Sequence, residues 1–399
     1  MKPLRIPGAW AELVSLSHTI KASDLGAITN RVIRPFGFEL TIYLVDYEQR
    51  SLRPLPEPGR ALPPPITVDG SLAGRAFQTV TLQIARQSPA RLWVAIVDGT
   101  ARLGVLAVDL PDDVDPDDGD VALELRGLAS LLGHLLQSKS ELSDSIEAVR
   151  RSRPMSVSSE LLIRLVPPST FACDELGISV VLEPAYDVGG DGYDYSVDGM
   201  NAKVVICDAV GHGMPAALTA CAAVSALRAA RRRGEGIVES AATVDDVITE
   251  HWDDSRFATA VVADIGLDTG VVRYVNAGHP PPALLRDGKV VGLLDEGRRL
   301  PLGLHDEPPI PAELRLQPGD RLLLYTDGVI EARDANDAVF GLDRLLNLLE
   351  RNAASDLPTA ETLRRLSHAI LDHQRGELQD DATLMLVEWQ ADAARRAVP

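Results

Sequence analysis

Residues Pro184–Leu218 read PAYDVGGDGYDYSVDGMNAKVVICDAVGHGMPAAL, and this segment indicates the fold more strongly than any other. An acidic, glycine-rich turn lies near each end, and an Asp-Gly turn between them predicts a β-hairpin. The apolar run Val204–Cys207 predicts a buried strand that delivers Asp208 into the second turn. Pro215 then favours the start of a helix, because the first helical turn needs no N–H donor there. Carboxylates at strand ends beside glycine-rich backbone can reach a metal ion or a phosphate.

Length and composition restrict the classes of protein to which the chain can belong. Its 399 residues predict two domains, and an apolar fraction of 45% is typical of a folded protein. Acidic residues number 58 and basic residues 39, and this net charge of −19 argues against nucleic acid or an anionic membrane as a main partner. The three cysteines form no close pair, and there is neither a signal-peptide core nor an apolar run of membrane-spanning length. These features predict a cytoplasmic protein.

Residues 10–137 predict a first α+β domain. Helical periodicity leads into strand-like runs at Glu39–Val45, Leu92–Val97 and Leu103–Val108, and a last helix is predicted at Val121–Leu136. This order favours an antiparallel sheet with helices packed on it. The order, together with the segment GSLAGRAFQT before the paired strands, resembles a GAF sensor domain. The resemblance implies an unknown small-molecule or protein signal, and a ligand-free domain used only for dimerisation is the alternative.

Residues 138–168 predict a helical linker. Leu135, Leu142, Ile146 and Val149 recur near heptad spacing, with charged residues between them. This pattern favours a short parallel coiled coil, continuous with the last helix of the sensor, that would join two copies of the chain into a homodimer. A single helix packed on its own domain is the alternative.

Residues 169–390 predict the second domain. Short turns separate many of its strands, which are predicted at Gly177–Leu182, Asp191–Ser196, Lys203–Cys207, Thr259–Asp264, Val271–Asn276, Pro282–Arg286, Asp320–Tyr325 and Ala382–Glu388. Helices are predicted at Pro215–Arg232, Thr243–Trp252, Leu342–Asn352 and Ala360–His373. Strands joined by hairpins, with the helices grouped, indicate an α+β sandwich rather than a doubly wound parallel sheet.

Four acidic corners are the candidates for chemistry in this second domain. They are Asp191, Asp208, Asp327 and the pair Asp380-Asp381, and three of them adjoin apolar strands. Each alone is most often a turn residue. Carboxylates that converge near a core, however, repel one another and lose solvation unless a cation binds them. All-oxygen ligands without cysteine or paired histidine favour Mg²⁺ or Mn²⁺ over Zn²⁺.

Six motifs in a fixed order make the resemblance to a known family specific. They are PAYDVGGDGYD, DAVGHGMPAAL, FATAVVADIGLDTGVVRYVNAGHPPPAL, PLGL, PGDRLLLYTDGVIEARD and DDATLMLV. They resemble the SpoIIE/RsbU-like branch of the bacterial PPM-type (protein phosphatase 2C superfamily) serine/threonine phosphatases. The resemblance covers roughly Ser158 to Glu388 and implies an α-β-β-α sandwich, in which two antiparallel sheets lie between helical layers.

The resemblance also implies a site with two Mn²⁺ or Mg²⁺ ions. Asp191 and Asp208 would bind one ion, Asp208 would bridge to the other, and the backbone carbonyl of Ala209 would add a ligand. Asp327 and Asp380 would complete the second ion. Metal-bound water would attack phosphorus in line, so the resemblance implies no covalent intermediate.

Other polar residues near these motifs have weaker assignments. Asp381 is the alternative to Asp380, which is preferred because the family ligand is the first residue of that motif. His212 is a weak candidate for the acid that protonates the leaving oxygen, and a structural role in its loop is favoured. His279 is expected to fix a turn. Asp194 is either a carboxylate behind the metal ligands or an exposed strand residue.

The resemblance implies a phosphoserine/phosphothreonine phosphatase that is regulated by its sensor domain. The implied substrate is a phosphorylated STAS-domain protein, an anti-sigma factor antagonist whose dephosphorylation releases a sigma factor by partner switching. One alternative is a catalytically inert signalling scaffold that binds such a partner, and the intact set of four acids argues against it. A metal-dependent hydrolase of small phosphoesters is a third interpretation.

Overall fold

The computed structural model describes residues 7–183, 186, 189–252, 255–305, 307–355, 357–375 and 380–397. Residues 184–185 and 187–188 of the first motif lie outside these ranges. The described chain forms two compact units that divide between Arg153 and Pro154.

The first unit is an antiparallel sheet with helices on both faces. Its helices are α1 (Pro7–Ser17), α2 (Leu25–Ile33), α3 (Leu72–Thr79), α4 (Gly119–Ser140) and α5 (Asp144–Arg150), with 3₁₀ turns at Ala22–Asp24 and Arg34–Phe36. Its strands are β1 (Glu39–Val45), β2 (Ser51–Pro54), β3 (Ile66–Thr67), β4 (Gln83–Ala85), β5 (Arg91–Asp98) and β6 (Ala101–Asp109). They lie in the order β3-β2-β1-β6-β5-β4, which confirms the predicted architecture of this unit.

Alternation along the strands gives the first unit two apolar layers. Leu40, Ile42 and Leu44 of β1 pack with the apolar side chains of α1, α2, α4 and α5. Tyr43 and Val45, which point to the opposite face, pack with those of α3. The strand period of two residues therefore explains why helices cover both faces of this sheet.

The segment predicted as a coiled coil is not one continuous helix. α4 ends at Ser140, and Leu142, in the break before α5, is 83% exposed. Leu135, Ile146 and Val149 instead pack into the core of the first unit. This corrects the prediction of a helix continuous through the linker, because three of its four heptad positions are used within the unit. Dimerisation stays a prediction.

The second unit contains the remaining elements. Its helices are α6 (Val157–Leu165), α7 (Gly213–Arg232), α8 (Ile237–His251), α9 (Asp327–Ile330), α10 (Leu342–Ala353), α11 (Thr359–His373) and α12 (Ala393–Ala397). Its strands are β7 (Thr170–Ala172), β8 (Leu176–Glu183), β9 (Asp191–Asp198), β10 (Asn201–Ala209), β11 (Ala258–Gly266), β12 (Val271–Ala277), β13 (Ala283–Arg286), β14 (Lys289–Leu293), β15 (Arg298–Arg299), β16 (Ala312–Arg315), β17 (Asp320–Tyr325) and β18 (Ala382–Trp389).

These strands form two sheets that pack face to face. Sheet I has the order β15-β12-β11-β10-β9, with β16 also paired to β12, and sheet II has the order β14-β13-β17-β18-β8-β7. Val204 and Ile206 of sheet I meet Leu322 and Leu324 of sheet II in the shared core. α7 and α8 cover the outer face of sheet I, and α10 and α11 cover that of sheet II. The predicted α-β-β-α sandwich is confirmed.

All eight predicted strands of the second unit are present, and the misses are short elements. The strands β7, β14, β15 and β16 and the short helices α9 and α12 were not predicted. α7 begins at Gly213, two residues before Pro215, and α8 begins at Ile237 rather than Thr243. By length and composition alone α7 could cross a membrane, but half of that apolar stretch is buried inside the unit, as in a core helix of a soluble protein.

Candidate metal centre

Two of the predicted ligands lie on adjacent strands of sheet I. Asp191 begins β9, and Asp208 lies directly opposite it near the end of β10. Opposite residues point to the same face of a sheet, so both carboxylates project from one end of sheet I. The neighbouring backbone is tightly packed: a Cβ at Gly190 would lie 2.4 Å from the carbonyl oxygen of Ala209. Glycine at this position therefore keeps the backbone close to the predicted carbonyl ligand.

The other two predicted ligands come from sheet II. Asp327 is the first residue of α9, which directly follows β17, and Asp380 lies two residues before β18, the neighbour of β17. α9 sits so close to the start of β18 that a Cβ at Gly328 would lie 1.9 Å from the carbonyl oxygen of Asp381. The predicted site is thus built from the ends of strands in both sheets.

Asp381, the alternative ligand, is engaged by the backbone. Its Oδ2 atom accepts the N–H groups of Gly189, Gly190 and Asp191 at 2.7, 2.6 and 3.2 Å. Asp380 is exposed, and its Oδ1 atom accepts only the adjacent N–H of Asp381 among the described hydrogen bonds. This division of roles supports Asp380 as the ligand and Asp381 as the residue that shapes the Gly189-Gly190 turn. The assignment stays a prediction.

Burial and mutual repulsion disfavour the charged forms of these acids. Burial is the largest cause that raises the pKa of Asp208, and the negative charges of Asp327, Asp380 and Asp381 add to it. Together they raise this pKa to about 8. Burial, followed by the charge of Asp208, also holds the pKa of Asp191 well above its ordinary value. Burial raises the pKa of Asp327 as well. These interactions show that carboxylates from both sheets lie within electrostatic reach of one another.

This set of donors fits divalent cations that prefer oxygen ligands. Carboxylates and a backbone carbonyl, without cysteine, suit Mg²⁺ or Mn²⁺. Within the described residues, however, no three acidic, histidine or cysteine side chains form a ready-made metal cluster. The predicted ligands therefore lie in one region of the unit, but their side chains do not yet surround a single metal position. A bound cation would favour the ionised forms that burial and repulsion disfavour, and would draw the carboxylates together.

One of the two interpretations of Asp194 was an exposed strand residue, and the structure contradicts it. It is 1% exposed and lies on the face of β9 opposite to Asp191, toward α7. Arg228 donates to its Oδ1 atom at 2.7 and 2.8 Å, and Arg231 donates to its Oδ2 atom at 2.6 Å. Asp194 therefore anchors α7 to sheet I through two ion pairs.

His212 lies at the boundary between the metal loop and α7. It is the N-cap residue of that helix, it is exposed, and its side chain makes no capping hydrogen bond. This position fits the favoured role in the loop, and the weaker assignment as an acid stays a prediction.

His279 is buried between the two sheets and does more than fix a turn. Its Nδ1 atom lies 2.7 Å from the hydroxyl of Thr259, the residue opposite Asp208 on β11. Its backbone N–H donates to the side chain of Asn276 at 2.8 Å, which closes the expected turn. Burial lowers the pKa of the imidazole to about 3; the Tyr325 backbone opposes this shift, and the positive charge of Arg298 adds to it. The ring is therefore neutral at physiological pH.

The neutral state of His279 predicts a specific pH dependence of stability. Since the unfolded pKa is near 6.5 and the folded pKa is about 3, the unfolded chain binds the extra proton between these values. The contribution to the free energy of unfolding is complete above pH 6.5 and is lost on acidification, by up to about 1.4 kcal/mol per pH unit. Urea unfolding at pH 5, 6 and 7 should show a smaller loss for His279→Gln than for the natural chain. Equal losses would contradict the prediction, and His18→Gln at an exposed position is the control.

Two threonines that bind Asp191 were not predicted from the sequence. Thr326 and Thr383 both donate their hydroxyls to Asp191, and both are fully buried. The sequence contained a weak indication of their role. Each threonine is a polar residue close to a predicted ligand, and each lies within or beside an apolar strand. β-branched threonine is common in strands, so sequence alone gives it no role in a site.

Comparison with known proteins matches most of the second unit to a family model. Residues 198–390 match the family model described as Stage II sporulation protein E (SpoIIE). The phosphoserine phosphatase RsbU of Bacillus subtilis (strain 168) is 27% identical over 217 residues, which cover 54% of this chain and 63% of RsbU. Protein IcfG of Synechocystis sp. is 27% identical over 326 residues, which cover 74% of this chain and 51% of IcfG. The chain thus spans between half and two thirds of the length of these two curated relatives.

A solved structure with similarity to the chain contains the RsbU and RsbW domains of Rv1364c from Mycobacterium tuberculosis. It is 27% identical with a TM-score of 0.48, and the alignment covers 57% of this chain and 62% of that one. The matched family model covers most of the second unit, which forms the α-β-β-α sandwich. Residues 198–390 thus match the SpoIIE-type phosphatase domain of the PP2C class.

Proposed function

We propose that the chain is a metal-dependent protein serine/threonine phosphatase. The observation that supports this best is the grouping of Asp191, Asp208, Asp327 and Asp380 at one end of the sandwich. No lysine or arginine in the described part of the chain forms an ion pair with any of them, whereas Asp194 has two such partners. Two Mn²⁺ or Mg²⁺ ions, when bound, would supply positive charge to a phosphoryl group and lower the pKa of water.

The chain's own residues would hold and orient the two ions. Asp191, Asp208 and the carbonyl of Ala209 would bind one ion, with Asp208 bridging to the second. Asp327 and Asp380 would complete the second ion. Because these residues lie at the ends of paired strands, or at most two residues from them, the packed sandwich holds their backbone in place before substrate binds.

We further propose a serine-phosphorylated STAS-domain protein, an anti-sigma factor antagonist, as the substrate. RsbU is described as a phosphoserine phosphatase, and its similarity to this chain supports the phosphoserine specificity. A phosphoserine group carries nearly two negative charges at neutral pH. Recognition of that group by bound cations, rather than by a basic surface, is compatible with a net charge of −19. The pathway would control a sigma factor by partner switching.

The proposed organisation places a sensor before the enzyme. Residues 10–137 would form a GAF-like sensor domain for an unknown signal, residues 138–168 a helical linker, and residues 169–390 the phosphatase domain. The six-stranded antiparallel sheet of the first unit, with helices on both faces, supports this assignment. Homodimerisation is part of the same proposal, but not through the heptad positions of the linker that pack within the first unit.

Phosphate release by the full chain tests this function. With Mn²⁺, we expect release from a serine-phosphorylated STAS-domain protein, no release in excess EDTA, and much slower release from p-nitrophenyl phosphate, because binding of the protein part contributes to catalysis. Comparable kcat/KM values for both substrates would favour a hydrolase of small phosphoesters. Binding of the phosphoprotein without release at any Mn²⁺ concentration would favour the inert scaffold.

A further inference from the structure

The carboxylate of Asp191 has two unequal oxygens. Its Oδ2 atom accepts the hydroxyl of Thr326 at 2.8 Å and the hydroxyl of Thr383 at 2.6 Å. No described hydrogen bond reaches its Oδ1 atom. The residue is 1% exposed, so water cannot readily replace either hydroxyl.

The two threonines are fixed to each other as well as to Asp191. The backbone N–H of Thr383 donates to the hydroxyl oxygen of Thr326 at 2.9 Å, and the N–H of Thr326 donates to the carbonyl of Thr383 at 3.1 Å. A hydroxyl has one proton to donate. Because the Thr326 oxygen already accepts an N–H, its own proton is directed to Asp191.

This arrangement joins the two sheets at the site. Asp191 begins β9 of sheet I, whereas Thr326 follows β17 and Thr383 lies in β18, both in sheet II. Thr326 also immediately precedes Asp327, the predicted ligand on that side. The two hydroxyls therefore fix the orientation of a ligand from one sheet against the backbone that carries the ligands of the other.

We propose that Thr326 and Thr383 are positioning residues that bind Oδ2 of Asp191 and leave Oδ1 as the oxygen presented to a divalent cation. This inference rests on the proposed function, because it assigns a role within the proposed metal centre. Both threonines donate to the same carboxylate oxygen, so their hydrogen bonds fix its orientation. Partners of this kind orient metal ligands, and their loss typically weakens metal binding 10- to 100-fold.

Substitution of Thr383 tests the proposal through metal binding as well as activity. Valine has nearly the same shape as threonine but lacks the hydroxyl, so Thr383→Val should weaken Mn²⁺ binding, measured by isothermal titration calorimetry, at least tenfold. Thr383→Ser keeps the hydroxyl and should restore most of the affinity. Thr326→Val is the second variant, in case either substitution impairs folding. Its expected loss of Mn²⁺ affinity is of the same order.

A matched control separates this role from a general effect of burying valine. Thr362 is also fully buried, on α11, and its hydroxyl has no hydrogen-bond partner within the described structure. Thr362→Val should therefore keep the Mn²⁺ affinity and the kcat/KM of the natural chain. Mn²⁺ affinities of Thr383→Val and Thr326→Val equal to that of the natural chain would overturn the inference alone. Absence of Mn²⁺ binding by the natural chain would overturn the metal centre, and the inference with it.

Discussion

Asp208→Asn is expected to remove the proposed phosphatase activity and, at the same time, to stabilise the metal-free protein. Asp208 is the predicted bridging ligand, and an amide cannot replace a carboxylate between two cations. The value of kcat/KM for a phosphoserine protein should fall by at least about 100-fold. Phosphate release by the full chain at saturating Mn²⁺ measures this effect. Activity within about threefold of the natural chain would contradict the assignment.

The gain in stability follows from the repulsion at the site. Burial and neighbouring acids raise the pKa of Asp208 to about 8, far above the ordinary value of 3.8 that applies in the unfolded chain. The folded state therefore binds the extra proton between about pH 4 and pH 8, and its stability falls as the pH rises through this window. Asparagine does not titrate, so linkage predicts that the variant gains up to about 4 kcal/mol at pH 7 and little near pH 4. Urea unfolding in EDTA at both pH values measures the difference.

Asp194→Asn is the matched control for this result, since Asp194 is a buried aspartate of the same sheet with arginine partners. Removing its charge leaves two arginines without their partner, and we expect a loss of stability of about 2 to 3 kcal/mol. The two substitutions should therefore have opposite signs in the metal-free protein. A loss of stability in Asp208→Asn would contradict the prediction that burial and neighbouring acids destabilise the charged form of Asp208.

Gly328→Ala is expected to cause the largest loss of stability among single methyl additions at the site. The new Cβ would lie 1.9 Å from the carbonyl oxygen of Asp381, which belongs to the backbone and cannot rotate away. α9 must then move from the start of β18, and Asp327 must move with it. We expect about 3 kcal/mol less free energy of unfolding, together with a large loss of Mn²⁺ affinity.

Thermal and urea unfolding of the variant, each with and without Mn²⁺, measure both effects. Gly292→Ala in β14 is the control, because no heavy atom lies within 4 Å of the Cβ that it would add. That substitution should change stability by about 0.5 kcal/mol or less. If Gly328→Ala behaved like the control, the close contact between α9 and β18 would not hold Asp327 in place.

The sequence predicted the sandwich because its long strands have strong signals. Val204–Cys207 is a continuous apolar run that is buried on both faces, and Asp-Gly turns separate such runs at the hairpins. The short strands β14, β15 and β16 were missed because they are polar or exposed and depend on pairing with longer neighbours. Secondary structure of this kind comes from tertiary contacts rather than from local propensity.

The site was predicted at the level of its acids, but not of the groups that orient them. Asp191 and Asp208 stand out because aspartate at the end of an apolar strand is unusual in a core. Alternation along β9 could also have shown that Asp194 points away from Asp191, toward the arginines of α7. The heptad pattern could not predict the break after α4. The same apolar positions can be buried either in a coiled coil or in the core of the first unit, and here they are buried in that core.

The hydrogen bonds of Asp191 connect residues that are far apart in the chain. Thr326 lies 135 residues after it and Thr383 lies 192 residues after it. During synthesis from the N-terminus, β9 and β10 can pair early, but the partners of this carboxylate exist only once β18 has emerged from the ribosome. The corner therefore stays incomplete until nearly all of the second unit has been translated. The order of folding would then delay the proposed phosphatase activity until the second unit is nearly complete.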